Sequence, residues 1–410
     1  MGELYRKGLG QKAGVKQKLA EDFHHSSVVR RVKDNDFMLE ADGLTLRMAR
    51  EMGFCYGVER TVQYAYETLA EFPTSPIYIT DEIIHNPQVN EKLMSLGMKF
   101  LNGRYGCGKK IEDLDAGDIV IIPAFGVTVH EMRQLLQKQG CKLVDTTCGS
   151  VLNVWKNVER YAREGATAIV HGKYSHEETR ATTSQVEKYP GAKYLVVRDI
   201  PETDVVCDYI RRGGDRADFL RRFEKSVSPG FDPDRDLERM GLANQTTMMS
   251  SESLDIQRRL RKAMVDRHGE EETSKRFISF DTICSATQDR QDTLLQLLQT
   301  HPLDLVIVVG GFNSSNTGHL AELGSKYAPT YHVENETGLA SGQEIRYRDP
   351  HSGSLVSKAN WLPEGKITLG ITAGASTPDN IVGRVIERLF GLRGIPVERL
   401  VPQPQAAPVR

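Results

Sequence analysis

Val144-Asp145-Thr146-Thr147-Cys148 and Phe280-Asp281-Thr282-Ile283-Cys284 repeat one pattern: an apolar strand end, then Asp, Thr, a variable residue and Cys. A third strand, Leu44–Met48, leads through Gly53-Phe54 to Cys55. After each cysteine, apolar residues recur at helical spacing: Val58, Val62, Ala65 and Leu69; Val151, Val154, Val158 and Tyr161; Leu294, Leu297 and Leu298. Each helix leads to an apolar strand that ends in polar residues. These are 77–80 before His85-Asn86, 168–170 before His171 and His176-Glu177-Glu178, and Leu305–Val309 before Asn313-Ser314-Ser315-Asn316. A further strand and loop close each module, at 123–128, 243–247 and 372–377.

Strands alternating with helices imply an α/β fold with parallel sheets covered by helices. The repeat predicts three such modules, at residues 46–147, 148–283 and 284–390. Residues 1–45 read as an arm that packs on the body or frays, and the proline-rich 391–410 as an extended tail. The stretch 204–240, dense in both charge signs, reads as a solvated insertion of helix and loop. In open α/β sheets ligands bind beyond the carboxyl ends of the strands. All three cysteines and the polar loops fall at such ends, which predicts a shared cavity.

Composition narrows the partners. The 410 residues carry 39% hydrophobic and 26% charged side chains, with a formal charge of −2. Such balance offers no footprint for nucleic acid or an anionic membrane. No apolar run approaches the ~18 residues of a membrane span. Residues 1–30 lack the apolar core of a signal peptide, and six cysteines are too sparse for a disulfide scaffold. A reducing cytoplasm is therefore expected. Neither a Walker loop nor GxGxxG occurs, so no ATP or nicotinamide site is expected.

Thiolates select zinc, copper(I) or iron–sulfur clusters. Structural zinc favours four ligands at short spacings. Cys55, Cys148 and Cys284 lie far apart in sequence and better suit a cubane cluster with one iron left open as a Lewis acid. Cys107, Cys141 and Cys207 lack the strand-end setting and read as bystanders. His85, His176, Thr246, Ser314, Ser315, Asn316 and Ser376 are mostly neutral donors, suited to phosphate oxygens, although any single Ser or Asn also serves as a helix cap. Glu177-Glu178 offers a carboxyl that could hold a proton, and Gln245-Thr246-Thr247 could position it.

Together, Gly53–Val58 (GFCYGV), Glu82–Pro87 (EIIHNP), the Asp145–Cys148 and Cys284–Thr287 segments, Gln245-Thr246-Thr247, Asn313–Asn316 and 372–379 resemble the 4-hydroxy-3-methylbut-2-enyl diphosphate reductase family, in order, over residues 46–390. The resemblance implies a trefoil-like arrangement of the three modules around a central [4Fe-4S] cluster held by Cys55, Cys148 and Cys284. It implies reductive removal of an allylic hydroxyl from a diphosphate substrate, with ferredoxin or flavodoxin as electron donor. Glu178 would supply the proton and Thr246 would stand near the substrate hydroxyl. His85, His176, Ser314, Ser315, Asn316 and Ser376 would hold the diphosphate. Phe125 stands where many bacterial members have His, Glu177 where many have Pro, and Asn244 where Thr is common. Phe125 and the long arm resemble the plant and cyanobacterial branch. From the residues alone, a cluster hydro-lyase, an iron–sulfur redox sensor and a zinc-stabilised structural protein are the rival readings.

Overall fold

The computed structural model describes residues 3–6, 8–10, 14–280 and 282–401. Asp281 of the second repeat stretch and residues 402–410 of the expected tail lie outside them. The chain gathers into two compact units, one of Met1–Gly10, Arg60–Ile84 and Lys92–Ser285, the other of Gln11–Glu59, His85–Glu91 and Ala286–Arg410.

The first unit holds two all-parallel sheets. One is ordered Glu3–Tyr5, Lys142–Asp145, Ile119–Ile122, Ile77–Ile79, Lys99–Phe100. The other is ordered Phe277–Ser279, Met240–Asn244, Thr167–His171, Tyr194–Val197. Ile119–Ile122 and Thr167–His171 are buried along their whole length. Strands covered by helices on both faces have this continuous apolar character.

The second unit is built on a seven-stranded sheet, ordered Leu355–Ala359, Glu344–Arg348, Thr330–Val333, Leu305–Val309, Ile367–Ala373, Leu44–Met48, Met38–Ala41. Its four inner strands, from Thr330–Val333 to Leu44–Met48, run parallel, and antiparallel strands extend it on both sides. The expected parallel α/β class is borne out. Among the described residues no helix is long and apolar enough to cross a membrane.

Three expectations need correction. Leu44–Met48, read as the opening strand of the first module, pairs instead in parallel with Ile367–Ala373. Its alternation buries Leu44, Leu46 and Met48, but alternation cannot say which neighbour a strand chooses. The arm, expected to pack on the body or fray, packs in its described part: Glu3–Tyr5 joins the first sheet, and the helix Ser27–Asp34 buries Val28, Val29 and Val32 in the core that also contains Ile381, Val382 and Val385. That helix starts at Ser26, whose hydroxyl accepts from the Val29 N–H at 3.2 Å, a normal N-cap. The 204–240 stretch is not merely solvated. Cys207, Tyr209, Ile210, Phe219, Phe223, Phe231 and Leu237 are buried in one cluster, with the Phe219 and Phe223 rings 4.7 Å apart. Its charges occupy the outward faces of short helices whose i, i+4 aromatics point inward. Beyond 391, Ile395 and Leu400 are also buried, so the described part of the tail packs as well.

Candidate active site

In the first unit, the helix Glu177–Thr183 opens on His176, whose Nδ1 accepts the Glu178 N–H at 3.1 Å. The imidazole proton therefore belongs on Nε2. Glu178 follows in the first turn and is 1% exposed. Its Oε1 accepts the Thr246 backbone N–H at 2.6 Å and its Oε2 accepts the Thr246 hydroxyl at 2.9 Å. The carbonyl of Thr246 in turn accepts the Cys284 N–H at 3.3 Å. One residue thus ties the buried carboxyl to a cysteine segment.

Gln245 braces this loop. Its N–H donates to the His171 carbonyl at 2.8 Å, its Oε1 accepts from Lys173 N and Thr179 Oγ1 at 3.1 Å each, and its Nε2 donates to Thr247 Oγ1 at 2.9 Å. Three of the amide's four hydrogen-bonding positions are used, so Gln245 positions rather than transfers.

Cys148 is the N-cap of the helix Gly149–Arg163, with extended backbone, and its N–H donates to the Ala124 carbonyl at 2.9 Å. Ser150, the second residue of that helix, donates to Cys284 Sγ at 3.2 Å. Sequence reasoning passed over Ser150; its position two residues after a cysteine was the available signal. Phe125 meets the His176 ring edge-on, with centroids 5.8 Å apart. Phe125 therefore steadies that imidazole by ring contact. Gly126 follows at φ 75°, and a Cβ there would come within 2.4 Å of the Trp155 ring, so the loop needs glycine on both counts.

In the second unit, the Cys55 N–H donates to the Ala375 carbonyl at 3.1 Å, and Cys55 Sγ accepts the Val58 N–H at 3.4 Å as the helix Tyr56–Glu71 begins. Asn316 Oδ1 accepts the Ala375 N–H at 2.9 Å, and the Ser376 hydroxyl donates to the His85 carbonyl at 3.1 Å. Asn313 Nδ2 lies 3.2 Å from His85 Nδ1. An amide nitrogen only donates, which again leaves the ring proton on Nε2. Ser314 plays the helix-cap role that any such residue can play: its Oγ accepts from Thr317 N and from Thr317 Oγ1 at 3.3 and 2.9 Å. Ser315 Oγ and Asn316 Nδ2 differ. Both are buried without a hydrogen-bond partner among the described residues. Buried donors without acceptors are costly in a finished structure.

The cysteines divide as their settings suggest. Cys55, Cys148 and Cys284 are partly exposed and each directly precedes a helix. Cys141 and Cys207 are buried, and desolvation pushes the Cys207 thiol up to about 12 and raises that of Cys141. Cys107 is exposed.

The sequence profile of the LytB protein family matches residues 46–390. The chain belongs to the LytB protein family. This LytB chain is 46% identical over 392 residues to a protein of Thermosynechococcus vestitus named 4-hydroxy-3-methylbut-2-enyl diphosphate reductase, covering 95% of each. It is likewise 46% identical over 396 residues to the protein of that name from Gloeobacter violaceus, covering 95% of this chain and 93% of the relative. The solved E-1-hydroxy-2-methyl-but-2-enyl-4-diphosphate reductase of Plasmodium falciparum shares its fold, with a TM-score of 0.61 at 22% identity over 84% of this LytB chain and 87% of that one.

Proposed function

We propose that this LytB protein reduces 4-hydroxy-3-methylbut-2-enyl diphosphate to isopentenyl diphosphate and dimethylallyl diphosphate, the last step of the methylerythritol phosphate route to isoprenoids. The observation that carries this reading is Thr246, which joins the buried Glu178 carboxyl to the Cys284 segment. An acid held beside a cysteine ligand suits the removal of a hydroxyl from a substrate that receives electrons. Each turnover takes two electrons and two protons, and the hydroxyl oxygen leaves as water.

Cys55, Cys148 and Cys284 fit an iron–sulfur cluster. They are three soft donors outside any disulfide, and two have hydrogen-bond donors on sulfur, Val58 N–H and Ser150 Oγ. We assign these three as ligands of a [4Fe-4S] cluster. When bound, the cluster supplies single electrons and a Lewis-acidic iron. The protein chain does the rest. Ser315 Oγ and Asn316 Nδ2 donate to diphosphate oxygens, joined by the His85 and His176 imidazoles, Ser314 and Ser376. Glu178 delivers a proton to the departing oxygen, because water leaves where hydroxide does not. Thr246 holds that carboxyl by both oxygens. A second proton, added at either end of the allylic unit, accounts for two products.

The electrons come from a one-electron carrier protein, ferredoxin or flavodoxin, and thiols of this kind suit a reducing cytoplasm. The test is anaerobic purification followed by absorption and paramagnetic resonance spectra, then turnover with a chemical one-electron reductant. We expect a cluster spectrum that changes on adding substrate, with two electrons consumed per product. Turnover that consumes no reductant would overturn the reading in favour of a hydro-lyase.

A further inference from the structure

We infer that Arg290 is a positioning residue for the Cys55 segment and supplies the positive charge that balances the cluster's anionic sulfur there. The inference rests on the cluster reading above. Arg290 lies on the helix Ser285–Thr300, which begins directly after Cys284 in the chain, and it is 4% exposed. Its Nη2 donates to the Gly53 carbonyl at 2.7 Å, and its Nη1 donates to the Ala286 carbonyl at 2.7 Å. Gly53 stands two residues before Cys55. Its φ is +75°, and a Cβ there would sit 3.1 Å from Asp379 Oδ1 and 3.2 Å from the Thr377 carbonyl. Its N–H donates to the Ala373 carbonyl at 3.3 Å. Gly53 is therefore held at both its N–H and its carbonyl, and the Cys55 segment is held with it.

The charge is the unusual part. A guanidinium does not lose its proton in a protein, and a buried one normally sits beside a carboxylate. Both acceptors of Arg290 are neutral carbonyls, and its Nε has no partner among the described residues. Among the described residues no acidic side chain pairs with it. Asp379, the acid beside Gly53, is paired with Lys33 at 2.8 Å. A buried cation without a side-chain counter-ion calls for an anion that the polypeptide does not provide. Thiolate-ligated iron–sulfur clusters are such anions, and nearby positive charge favours their reduced form. Arg290 would thus ease electron entry while fixing a ligand segment.

The full-length protein, purified without oxygen, would be compared with R290K and R290Q by circular dichroism, cluster absorption, paramagnetic resonance and redox titration. R290Q keeps a polar side chain without charge; R290K keeps the charge without the fork. We expect R290Q to lower the midpoint potential and alter the resonance of the reduced cluster, and R290K to stay much nearer the unaltered protein. An unchanged potential in R290Q would overturn the inference. So would equal shifts, or equal loss of cluster, in both variants, since charge would then not be what matters. If the unaltered protein takes up no cluster, the functional reading itself fails, which is a different result from a loaded protein indifferent to position 290.

Discussion

Thr246 grips both oxygens of Glu178 at once, by its backbone N–H at 2.6 Å and its hydroxyl at 2.9 Å. The carboxyl cannot rotate without losing one of these bonds, so its proton is offered in one direction. Positioned acids of this kind contribute by geometry before pKa.

Glu178→Gln tests the acid. The amide is close in shape, and the Thr246 hydroxyl can turn to accept from it while the N–H still donates to its oxygen. Folding and cluster absorbance should survive. Turnover should fall by roughly 10²–10⁴-fold, the usual contribution of a general acid. Steady-state rates with excess reductant check it, and an unchanged rate removes Glu178 from the role.

Thr246→Val keeps the backbone N–H and the branched shape and deletes only the hydroxyl. A hydrogen bond to a protonated carboxyl is worth about 0.5–1.5 kcal/mol, so kcat should drop about 2–10-fold with KM little changed. Thr246→Ser should recover most of the loss. A valine variant affected only in KM would place the hydroxyl on the substrate's diphosphate side instead.

Asn316→Asp keeps the oxygen that accepts from Ala375 N–H at 2.9 Å but replaces the unpartnered amide donor with a carboxylate oxygen. Repulsion is added to a lost bond, so affinity should fall more than in Ser315→Ala, which loses a donor alone and should weaken binding about 10–100-fold. Calorimetry with inorganic diphosphate would rank them. Equal affinity in all three proteins would mean that the diphosphate binds elsewhere.

His332 sets an acid limit on stability. Burial holds its pKa down to about 4, and its Nε2–H donates to the Gly310 carbonyl at 2.9 Å. The unfolded chain protonates this ring near pH 6.5 and the folded one near 4. Above pH 6.5 both states are neutral and the group is indifferent. As pH falls from 6.5 towards 4 the unfolded state gains the proton first, and stability drops by on the order of 3 kcal/mol. Urea melts at pH 7.5 and 4.5 should show the decline, and His332→Gln, which retains an N–H donor, should make it shallower. An identical pH slope in the variant would assign the acid loss to other groups.

Much of the site can be read from the chain because it is local. A cysteine between a strand end and an amphipathic run sits at a helix start whatever the rest of the fold does, as Cys55, Cys148 and Cys284 do. The same locality explains Ser314, whose cap to Thr317 is set by spacing. Phe219 and Phe223 were hidden only because charges surround them in sequence, although their i, i+4 spacing already marks an inward face.

The sequence by itself determined the parallel α/β class, the residue types available for soft-metal and phosphate chemistry, and the order in which they are presented. These follow from periodicity and from functional groups, both readable over a few turns of chain. Only the tertiary structure decided that Leu44–Met48 pairs with Ile367–Ala373, that Thr246 clamps Glu178, and that Arg290 holds Gly53 with no acidic side chain among the described residues paired to the guanidinium. Each joins residues tens to hundreds of positions apart. Strand partnership, hydrogen-bond direction and the absence of a counter-ion belong to packed neighbours, and no local pattern encodes which neighbours meet.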